Sequence, residues 1–362
     1  MIMLTPGPVQ TDPRTRAAMA RDIAPWDNDF RSVYAGIRER VLALAGGQAA
    51  THACLPLQGA GHFAMEAVIR SVIPAGAAIV VPMNGAYAER IMLLAQGAGR
   101  VAHPWPVPDT RGVTEADIEA AFAAHPEATH LAMVQSETGT GIVNRPEVVG
   151  PVLRRLGKGL ILDAVSAFGA LPFSMAENPE CDAMVFTSNK CFEGLPGIAF
   201  CVARTAALEA GRAGSWSLDL FEVWQLALRS GWGSFRFTPP VQALAAFDVA
   251  LGLFDAEGGQ PARLARYQRN MALLYEGALA MGLRPWLDRA EQGPIIVTLH
   301  QPPGFDLQDF VDALKLRGVL ISNFHTTRAP SIRIGCIGAV TNEEMARAVT
   351  VMGEVLVRRQ AA

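Results

Sequence analysis

Lysine is nearly absent from this 362-residue sequence. It occurs at Lys158, Lys190 and Lys315 alone, so arginine supplies 28 of the 31 basic residues. The 34 acidic residues almost balance them, and the net charge is −3. Because no basic block stands out, the sequence offers no electrostatic footprint for nucleic acid or for anionic lipid. We expect neither a nucleic-acid partner nor a membrane partner.

Cysteine is also sparse, and long apolar runs are missing. The five cysteines form no Cys-x-x-Cys pair, which argues against a disulfide framework and a zinc knuckle, so no metal site is predicted. No window reaches the ~18 consecutive apolar residues of a membrane span. Residues 1–13 contain three prolines and lack the basic start of a signal peptide. We therefore expect a cytoplasmic protein with reduced thiols.

Short apolar runs alternate with helical patterns through the first half of the chain. The runs are nearly continuous, as is typical of parallel strands that are covered on both faces. They predict strands at 78–81, 131–134, 160–162, 184–186 and 198–202, separated by helices at 63–73, 86–95, 114–124 and 146–156. This alternation predicts βαβ units and an α/β fold with a mostly parallel sheet.

The pattern changes near residue 244. A helical stretch at 242–282, broken at Gly258-Gly259, precedes strands at 295–299, 319–322 and 331–334, a helix at 307–316 and a final helix. That final helix begins with Thr341 and Glu344, whose spacing is that of a capping box. We predict a large domain at 21–243 and a smaller C-terminal α+β domain at 244–362.

A glycine loop, Gly59-Ala60-Gly61, precedes the helix at 63–73. Backbone N–H groups at such a helix start can bind a phosphate, although the same pattern also suits an ordinary tight turn. The loop also fits the G-x-G-x-x-A pattern of dinucleotide sites, which requires an uninterrupted strand before it and an acid ~20 residues later. Pro56 interrupts the preceding run, and no carboxylate follows the strand at 78–81. A nicotinamide enzyme is therefore the weaker hypothesis.

Asp163 and Lys190 follow successive predicted strands, so we expect both at the carboxyl edge of the sheet, where α/β sheets bind ligands. The pair fits either a plain salt bridge or pyridoxal phosphate chemistry, which needs a lysine and a carboxylate for the pyridine nitrogen. An arginine cannot replace that lysine, because its guanidinium does not lose its proton. Lys158 and Lys315 both have ordinary surface explanations.

Two more side chains fit a pyridoxal phosphate site. Tyr87 follows the strand at 78–81 and is a candidate for stacking on a cofactor ring, although on position alone a core or surface role explains it better. Arg333 lies within a short apolar strand and is a candidate clamp for a carboxylate. The alternative for Arg333 is an edge-strand position facing water.

Eight short motifs together resemble the class V, fold-type I aminotransferases over essentially the whole chain. They lie at 4–8, 58–61, 84–87, 136–138, 163–169, 188–191, 236–240 and 333–335. The resemblance implies a fold-type I pyridoxal-phosphate-dependent transferase, with a mostly parallel seven-stranded sheet in the large domain. It also implies pyridoxal 5′-phosphate as cofactor, an N-terminal active-site arm at 1–20, and a homodimer with shared active sites.

The resemblance assigns roles by position. Lys190 would carry the Schiff base, and Asp163 would pair with the pyridinium nitrogen. The other residues expected to contact the cofactor are Ala60, Gly61, His62, Tyr87, Glu137, Thr138, Ser166 and the partner subunit's Thr238. The residues expected to contact the substrate are Pro6, Gly7 and Arg333.

Within this family, the motifs are most similar to those of enzymes that transfer the amino group of 2-aminoethylphosphonate to pyruvate in phosphonate catabolism. Those enzymes usually carry Gly-Ser-Gly-Thr where this chain has Gly59-Ala60-Gly61-His62. The Gly-His pair is closer to alanine–glyoxylate and serine–pyruvate aminotransferases, which are the alternative. A cysteine desulfurase is disfavoured, because Asn189 rather than a histidine precedes Lys190 and Cys336 lies in a turn.

Overall fold

The computed structural model describes residues 1–360. Its strands are β1 (Ile2–Met3), β2 (His52–Gln58), β3 (Ala78–Met83), β4 (Val101–Pro106), β5 (Ala128–Val134), β6 (Gly159–Asp163), β7 (Cys181–Thr187), β8 (Ile198–Arg204), β9 (Ile296–His300), β10 (Val319–Leu320) and β11 (Ser331–Gly335). Its helices are α1 (Pro13–Ala17), α2 (Asn28–Leu44), α3 (Gly61–Val72), α4 (Ala86–Gly97), α5 (Glu115–Ala124), α6 (Pro146–Leu156), α7 (Thr205–Ala210), α8 (Leu220–Ser230), α9 (Val241–Glu257), α10 (Gly259–Ala280), α11 (Leu307–Lys315) and α12 (Asn342–Gln360).

A seven-stranded sheet forms the centre of the molecule, with the order β2-β8-β7-β6-β5-β3-β4. Strands β3 to β7 run parallel to one another, whereas β8 is antiparallel to both β7 and β2. The predicted α/β architecture with a mostly parallel seven-stranded sheet is confirmed.

The sheet is buried on both faces, which explains its continuous apolar runs. In β6, Leu160 and Leu162 pack into one hydrophobic core, while Ile161 packs into the core on the opposite face. Successive side chains of a strand point to opposite faces, so a strand covered on both sides has no position for a polar residue. Polar side chains are therefore left to the strand ends, where the candidate site lies.

A separate core unites the C-terminal elements. Strands β9 and β11 pair antiparallel and pack with α10, α11 and α12. The N-terminal segment belongs to this core, because β1 pairs with β10 and Leu4 is fully buried there. Leu244 and Phe247 of α9, just beyond the predicted boundary at 244, instead pack in the core of the large sheet. The predicted domain limits remain predictions.

The strand before the glycine loop differs most from its predicted form. Strand β2 runs through Pro56, which was expected to interrupt it. Because β2 lies at the edge of the sheet, the missing N–H of proline is tolerated there. The dinucleotide interpretation still fails, since β2 is an edge strand that pairs antiparallel with β8 rather than the first parallel strand of a βαβ unit.

Other expectations hold with small shifts. Strand β10 is two residues long, shorter than predicted, while Thr341 and Glu344 form the expected reciprocal capping bonds.

All five cysteines are free and buried. Within residues 1–360, none of the helices combines the length and the apolar character that crossing a membrane requires.

Candidate active site

Lys190 follows β7 and lies between two cavities at the carboxyl edge of the sheet. Its Nζ donates a hydrogen bond to the carbonyl oxygen of Pro6 at 2.8 Å. The side chain is partly accessible from the cavities, but the surrounding protein excludes enough water to lower the pKa of the amine. A lysine whose amine loses its proton more readily than usual is suited to attack a carbonyl carbon.

Asp163 ends β6, the strand beside β7, and lines the first cavity together with Lys190. Its Oδ1 accepts a hydrogen bond from the backbone N–H of Val165 at 3.0 Å. Burial raises the pKa of Asp163 to about 6, partly offset by the Val165 bond and by Lys190. The two side chains form no ion pair among the described residues, so the plain salt bridge is not found.

The glycine loop closes one end of the first cavity, whose volume is about 290 Å³. Ala60 caps α3 without any side-chain hydrogen bond, so the first N–H groups of the helix remain available to an anion. A Cβ at Gly61 would lie 2.7 Å from a methyl carbon of Val165, which explains a glycine at this position. The arrangement fits a phosphate at the start of α3.

Tyr87 stands on the first turn of α4 and lines both cavities. His62 lies nearly parallel to it, with ring centroids 6.3 Å apart. Arg90, which was not predicted as a site residue, lies over the Tyr87 ring at 4.5 Å and contacts Nε2 of His62 at 3.1 Å. Its position one helical turn after Tyr87 was the available signal. Arg90 adds a positive charge beside the candidate phosphate site.

Glu137 lies under the start of α4 and does not line either cavity. Its carboxylate accepts hydrogen bonds from the backbone N–H groups of Tyr87 at 3.3 Å and Ala88 at 2.9 Å. Burial raises the pKa of Glu137 to about 7, despite these bonds. A Cβ at Gly85 would lie 2.3 Å from the Glu137 carboxyl carbon, so this approach requires glycine. Glu137 thus fixes the helix start that presents Tyr87.

Ser166 and Thr138 are likewise buried beneath the site. The Ser166 hydroxyl donates to the carbonyl oxygen of Ser136 at 2.8 Å, which joins two segments at the sheet edge. The Thr138 carbonyl accepts hydrogen bonds from Arg333, and neither residue borders the first cavity. Their predicted contacts with a cofactor remain predictions.

Arg333 projects from β11 into the second cavity, whose volume is about 490 Å³. The side chain is 1% exposed, so the water-facing alternative is wrong. Nε and Nη2 donate to the carbonyl oxygen of Thr138 at 2.9 and 2.6 Å, whereas the buried Nη1 has no hydrogen-bond partner among the described residues. An unpartnered buried guanidinium N–H is costly unless a ligand accepts its hydrogen bond.

The N-terminal segment forms one wall of the second cavity. Pro6 and Gly7 contact Lys190 there. Gly7 has a φ of 146°, and a Cβ at this position would lie 2.2 Å from Nζ of Lys190. Only glycine permits this close contact. Thr238, in contrast, is exposed and lines neither cavity in this chain.

A buried charged network supports the Lys190 segment. Glu193, in the left-handed conformation with φ of 59°, accepts hydrogen bonds from Arg266 at 2.6 Å and from the Tyr267 hydroxyl at 2.7 Å. Arg266 also donates to the carbonyl oxygen of Gly338, three residues after β11, at 2.6 Å. The network therefore joins the lysine segment to the strand that carries Arg333.

Comparison with known proteins agrees with this geometry. The family described as aminotransferase class-V matches residues 14–348. The chain belongs to the class V aminotransferases. Members of this family use pyridoxal phosphate, so the prediction of a pyridoxal-phosphate-dependent aminotransferase with a fold-type I structure is confirmed.

Curated relatives match nearly the whole chain. A 2-aminoethylphosphonate–pyruvate transaminase of Burkholderia lata is 41% identical over 98% of this chain and 94% of its own length. One from Pseudomonas putida is 40% identical over 98% and 96%. Among solved structures, a pyridoxamine–pyruvate aminotransferase from Mesorhizobium loti superposes with a TM-score of 0.90 at 24% identity, over 99% of this chain and 93% of that one. An alanine–glyoxylate aminotransferase from Nostoc sp. superposes with a TM-score of 0.89 at 22% identity, over 98% and 95%. These two structures share the fold.

Proposed function

We propose that this chain transfers the amino group of 2-aminoethylphosphonate to pyruvate, forming phosphonoacetaldehyde and L-alanine. The observation that carries the choice of substrates is the 40–41% identity, over 98% of the chain, to transaminases of that name. The site is consistent with it, because Lys190 and Arg333 share one cavity that is large enough for a small acid. We place the enzyme in the cytoplasm, as the sequence predicts.

We propose that the first cavity holds pyridoxal phosphate. Its phosphate would lie at the start of α3, against Gly61 and His62, with Arg90 supplying charge. Asp163 would hold the pyridine nitrogen protonated, and its buried carboxylate has no positive partner within ion-pair distance among the described residues. Tyr87 would face the ring. A buried acid and an uncapped helix start are two features that this cofactor needs in addition to the lysine.

The bound cofactor would withdraw electrons from the substrate carbon that bears the nitrogen, which makes the proton on that carbon acidic. Lys190 would remove this proton through Nζ, and would return a proton when pyruvate accepts the nitrogen. The lowered pKa of Lys190 favours the neutral amine that this role requires. Pro6 and Gly7 confine the Nζ atom from the side of the second cavity.

Arg333 would bind the carboxylate of pyruvate and the phosphonate of the amino donor in turn. Two of its nitrogens are already fixed by the carbonyl oxygen of Thr138, so the guanidinium plane is held before the substrate arrives. The free Nη1 is the atom left to pair with the substrate anion. Both substrates are small acids, and one arginine can serve them because they bind in separate half-reactions.

We further propose a homodimer in which the partner subunit's Thr238 completes the phosphate site. Thr238 is exposed in the single chain, and so is Trp216, at 76%, which packs on the neighbouring Phe237. Phe63, in the first turn of α3, is exposed at 53%. Such exposed aromatic surface is typical of an interface.

Mixing two inactive variants tests the shared site. Thr238→Glu places a negative charge against the phosphate, and Lys190→Arg removes the reactive amine. Random mixed dimers would contain one intact site each, so activity should return to about a quarter of the wild-type value. Failure of the mixture to regain activity, together with sedimentation as a monomer, would contradict the shared dimer.

The second candidate is an alanine–glyoxylate or serine–pyruvate aminotransferase, and one observation favours it. His62 occupies the phosphate loop, where the phosphonate enzymes usually have a threonine, and Ala60 replaces their serine. The test is a comparison of kcat/KM for 2-aminoethylphosphonate with pyruvate against that for alanine with glyoxylate, measured as alanine and glycine formed. A higher kcat/KM for the second pair would move the assignment to this candidate.

A further inference from the structure

A histidine is the one residue of the glycine loop whose side chain can form a hydrogen bond with a ligand. The residues ahead of it, Gly59, Ala60 and Gly61, carry no polar side-chain atom. His62 is the second residue of α3, is half-buried and lines the first cavity. A phosphate bound at the start of α3 would therefore meet backbone N–H groups and this imidazole.

An arginine from the neighbouring helix holds the imidazole. Nη1 of Arg90, on α4, lies 3.1 Å from Nε2 of His62. A guanidinium has five N–H donors and no acceptor, so Arg90 is the donor and Nε2 is the acceptor. A ring nitrogen that accepts a hydrogen bond carries no proton. The neutral ring therefore has its proton on Nδ1, and His62 is fixed in one tautomer.

The surroundings of His62 keep its imidazole neutral. Burial lowers the pKa of His62, and the positive charges of Arg90 and Lys190 lower it further. A protonated ring would also turn a second N–H toward the guanidinium of Arg90, and neither of these groups could accept it. His62 therefore offers the cavity one hydrogen-bond donor, its Nδ1–H group, and no charge.

Arg90 is itself held by a second contact. Its guanidinium lies over the Tyr87 ring, 4.5 Å from the centroid, and the Tyr87 and His62 rings are within 26° of parallel. Tyr87 and Arg90 stand one turn apart on α4, whose start is fixed by the hydrogen bonds to Glu137. The orientation of the imidazole on α3 thus depends on side chains of α4.

We propose that Arg90 is a positioning residue, which holds His62 as the Nδ1–H tautomer so that this N–H donates a hydrogen bond to the cofactor phosphate. The proposal rests on the proposed cofactor site, and it does not depend on the identity of the substrates. The charge of Arg90 also attracts the phosphate directly. The N–H of His62 does here what a hydroxyl could do, and residues 59–61 provide no hydroxyl.

Nitrogen-15 NMR of the histidine rings tests the tautomer. The cofactor-loaded protein, labelled at histidine, is measured near pH 8, where a free imidazole is neutral. His62→Gln identifies the His62 signals by their loss. In the wild type we expect the signals of a ring protonated on Nδ1 alone, and in Arg90→Met those of a ring that exchanges between both tautomers. A wild-type His62 that carries its proton on Nε2, or on both nitrogens, would overturn the proposal.

The dissociation constant of pyridoxal phosphate separates positioning from simple charge attraction. Arg90→Met should raise it ~30-fold in the wild-type background but only ~5-fold in the His62→Gln background, because most of the effect passes through the imidazole. Arg347→Met, at an exposed position on α12, is the matched control and should leave it unchanged. Equal losses in the two backgrounds would also overturn the proposal. Neither measurement requires turnover of 2-aminoethylphosphonate, so a failure of the proposed function would be seen separately.

Discussion

Lys190 shows how much depends on one amine in a chain that otherwise uses arginine. Its Nζ contacts Pro6, its pKa is lowered by burial, and the cavity leaves it in reach of a ligand. The ammonium group of Lys158, by comparison, donates hydrogen bonds to the carbonyl oxygens of Pro126 and Ala128 at the far end of the sheet. The two lysines differ in surroundings rather than in chemistry.

We expect Lys190→Arg to fold and to lose amino transfer completely, because a guanidinium neither bonds to the cofactor nor moves the proton. The visible absorbance of the bound cofactor should change with it. Lys158→Arg is the matched control and should keep wild-type turnover and absorbance. Measurable turnover by purified Lys190→Arg would show that another group performs the reaction.

A different result is expected for Arg333, because its proposed role is to bind the substrate. Arg333→Lys keeps a positive charge but loses the planar fork that Thr138 orients. We expect the KM for pyruvate to rise roughly 30-fold, the equivalent of about 2 kcal/mol, while cofactor absorbance stays unchanged. Initial rates at varied pyruvate concentration measure this change. An unaltered KM would remove Arg333 from the substrate site.

Because Glu137 is buried, we predict that the free energy of unfolding of the cofactor-free protein depends on pH. Burial raises the pKa of Glu137 to about 7 from 4.5, so the folded chain keeps a proton that the unfolded chain releases between these values. Through this residue, the free energy of unfolding therefore falls as pH rises from about 4.5 to 7.

Glu137→Gln cannot ionise and should escape this fall. Relative to the wild type, its free energy of unfolding should improve by about 2 kcal/mol between pH 5 and pH 8. Urea unfolding at the two pH values measures the difference, and Glu209→Gln, at an exposed position, should show no such trend. A constant difference across this range would mean that Glu137 is ionised throughout.

At the scale of elements, the Glu193 network holds two distant pieces of the site in register. It joins the segment after β7 that carries Lys190 to the turn that follows β11, and β11 is the strand that carries Arg333. Arg263 adds an ion pair to Glu193 at 3.4 Å and a bond to the carbonyl oxygen of Cys191. The two functional side chains come from different cores, so this link acts together with the Arg333–Thr138 and Lys190–Pro6 hydrogen bonds to set their spacing.

Glu193→Gln leaves the two arginines with Glu257 as their remaining acid, in a buried setting. We expect a loss of about 3 kcal/mol in the free energy of unfolding, the typical cost of breaking a buried ion pair. Denaturant titration measures it. Glu39→Gln, on the exposed side of α2, should change stability by less than about 0.5 kcal/mol. Equal stability of the two variants would show that the network is not structural.

Some of the strands could be predicted from the sequence, and others could not. Strands β3 and β5 to β8 follow from continuous apolar runs, because both sheet faces are covered. Strand β2 was missed because Pro56 resembles a strand breaker unless its place at the sheet edge is known. Strand order depends on contacts between residues far apart in sequence, and short-range patterns carry no record of them.

At the scale of the whole molecule, some residues of the site could be predicted from the sequence and others could not. Asp163 and Lys190 were predictable because polar residues at adjacent strand ends meet at one edge of the sheet. Arg90 was missed, although its position one helical turn after Tyr87 was a signal. The network around Glu193 was not predictable, since nothing in its local sequence distinguishes these residues from ordinary helix and turn residues. The burial of Arg333 could not be predicted either, because it depends on how β11 packs against the segment around Thr138.

The two cores also explain why an N-terminal segment belongs to the active site. Strand β1 pairs with β10 in the smaller core, so residues 4–8 cross from that core to Lys190. Any movement of the smaller core relative to the large sheet would move Pro6, Gly7 and Arg333 together. The substrate side of the site would then change as a unit, while the cofactor side stays on the large sheet.

The most direct test of the proposed function follows the nitrogen itself. The cofactor-loaded protein is incubated with nitrogen-15-labelled 2-aminoethylphosphonate and unlabelled pyruvate, and the products are read by NMR. We expect the label to appear in L-alanine, one equivalent for each phosphonoacetaldehyde formed, and we expect Lys190→Arg to transfer none. Label that stays in 2-aminoethylphosphonate, while the same preparation converts alanine and glyoxylate to pyruvate and glycine, would contradict it.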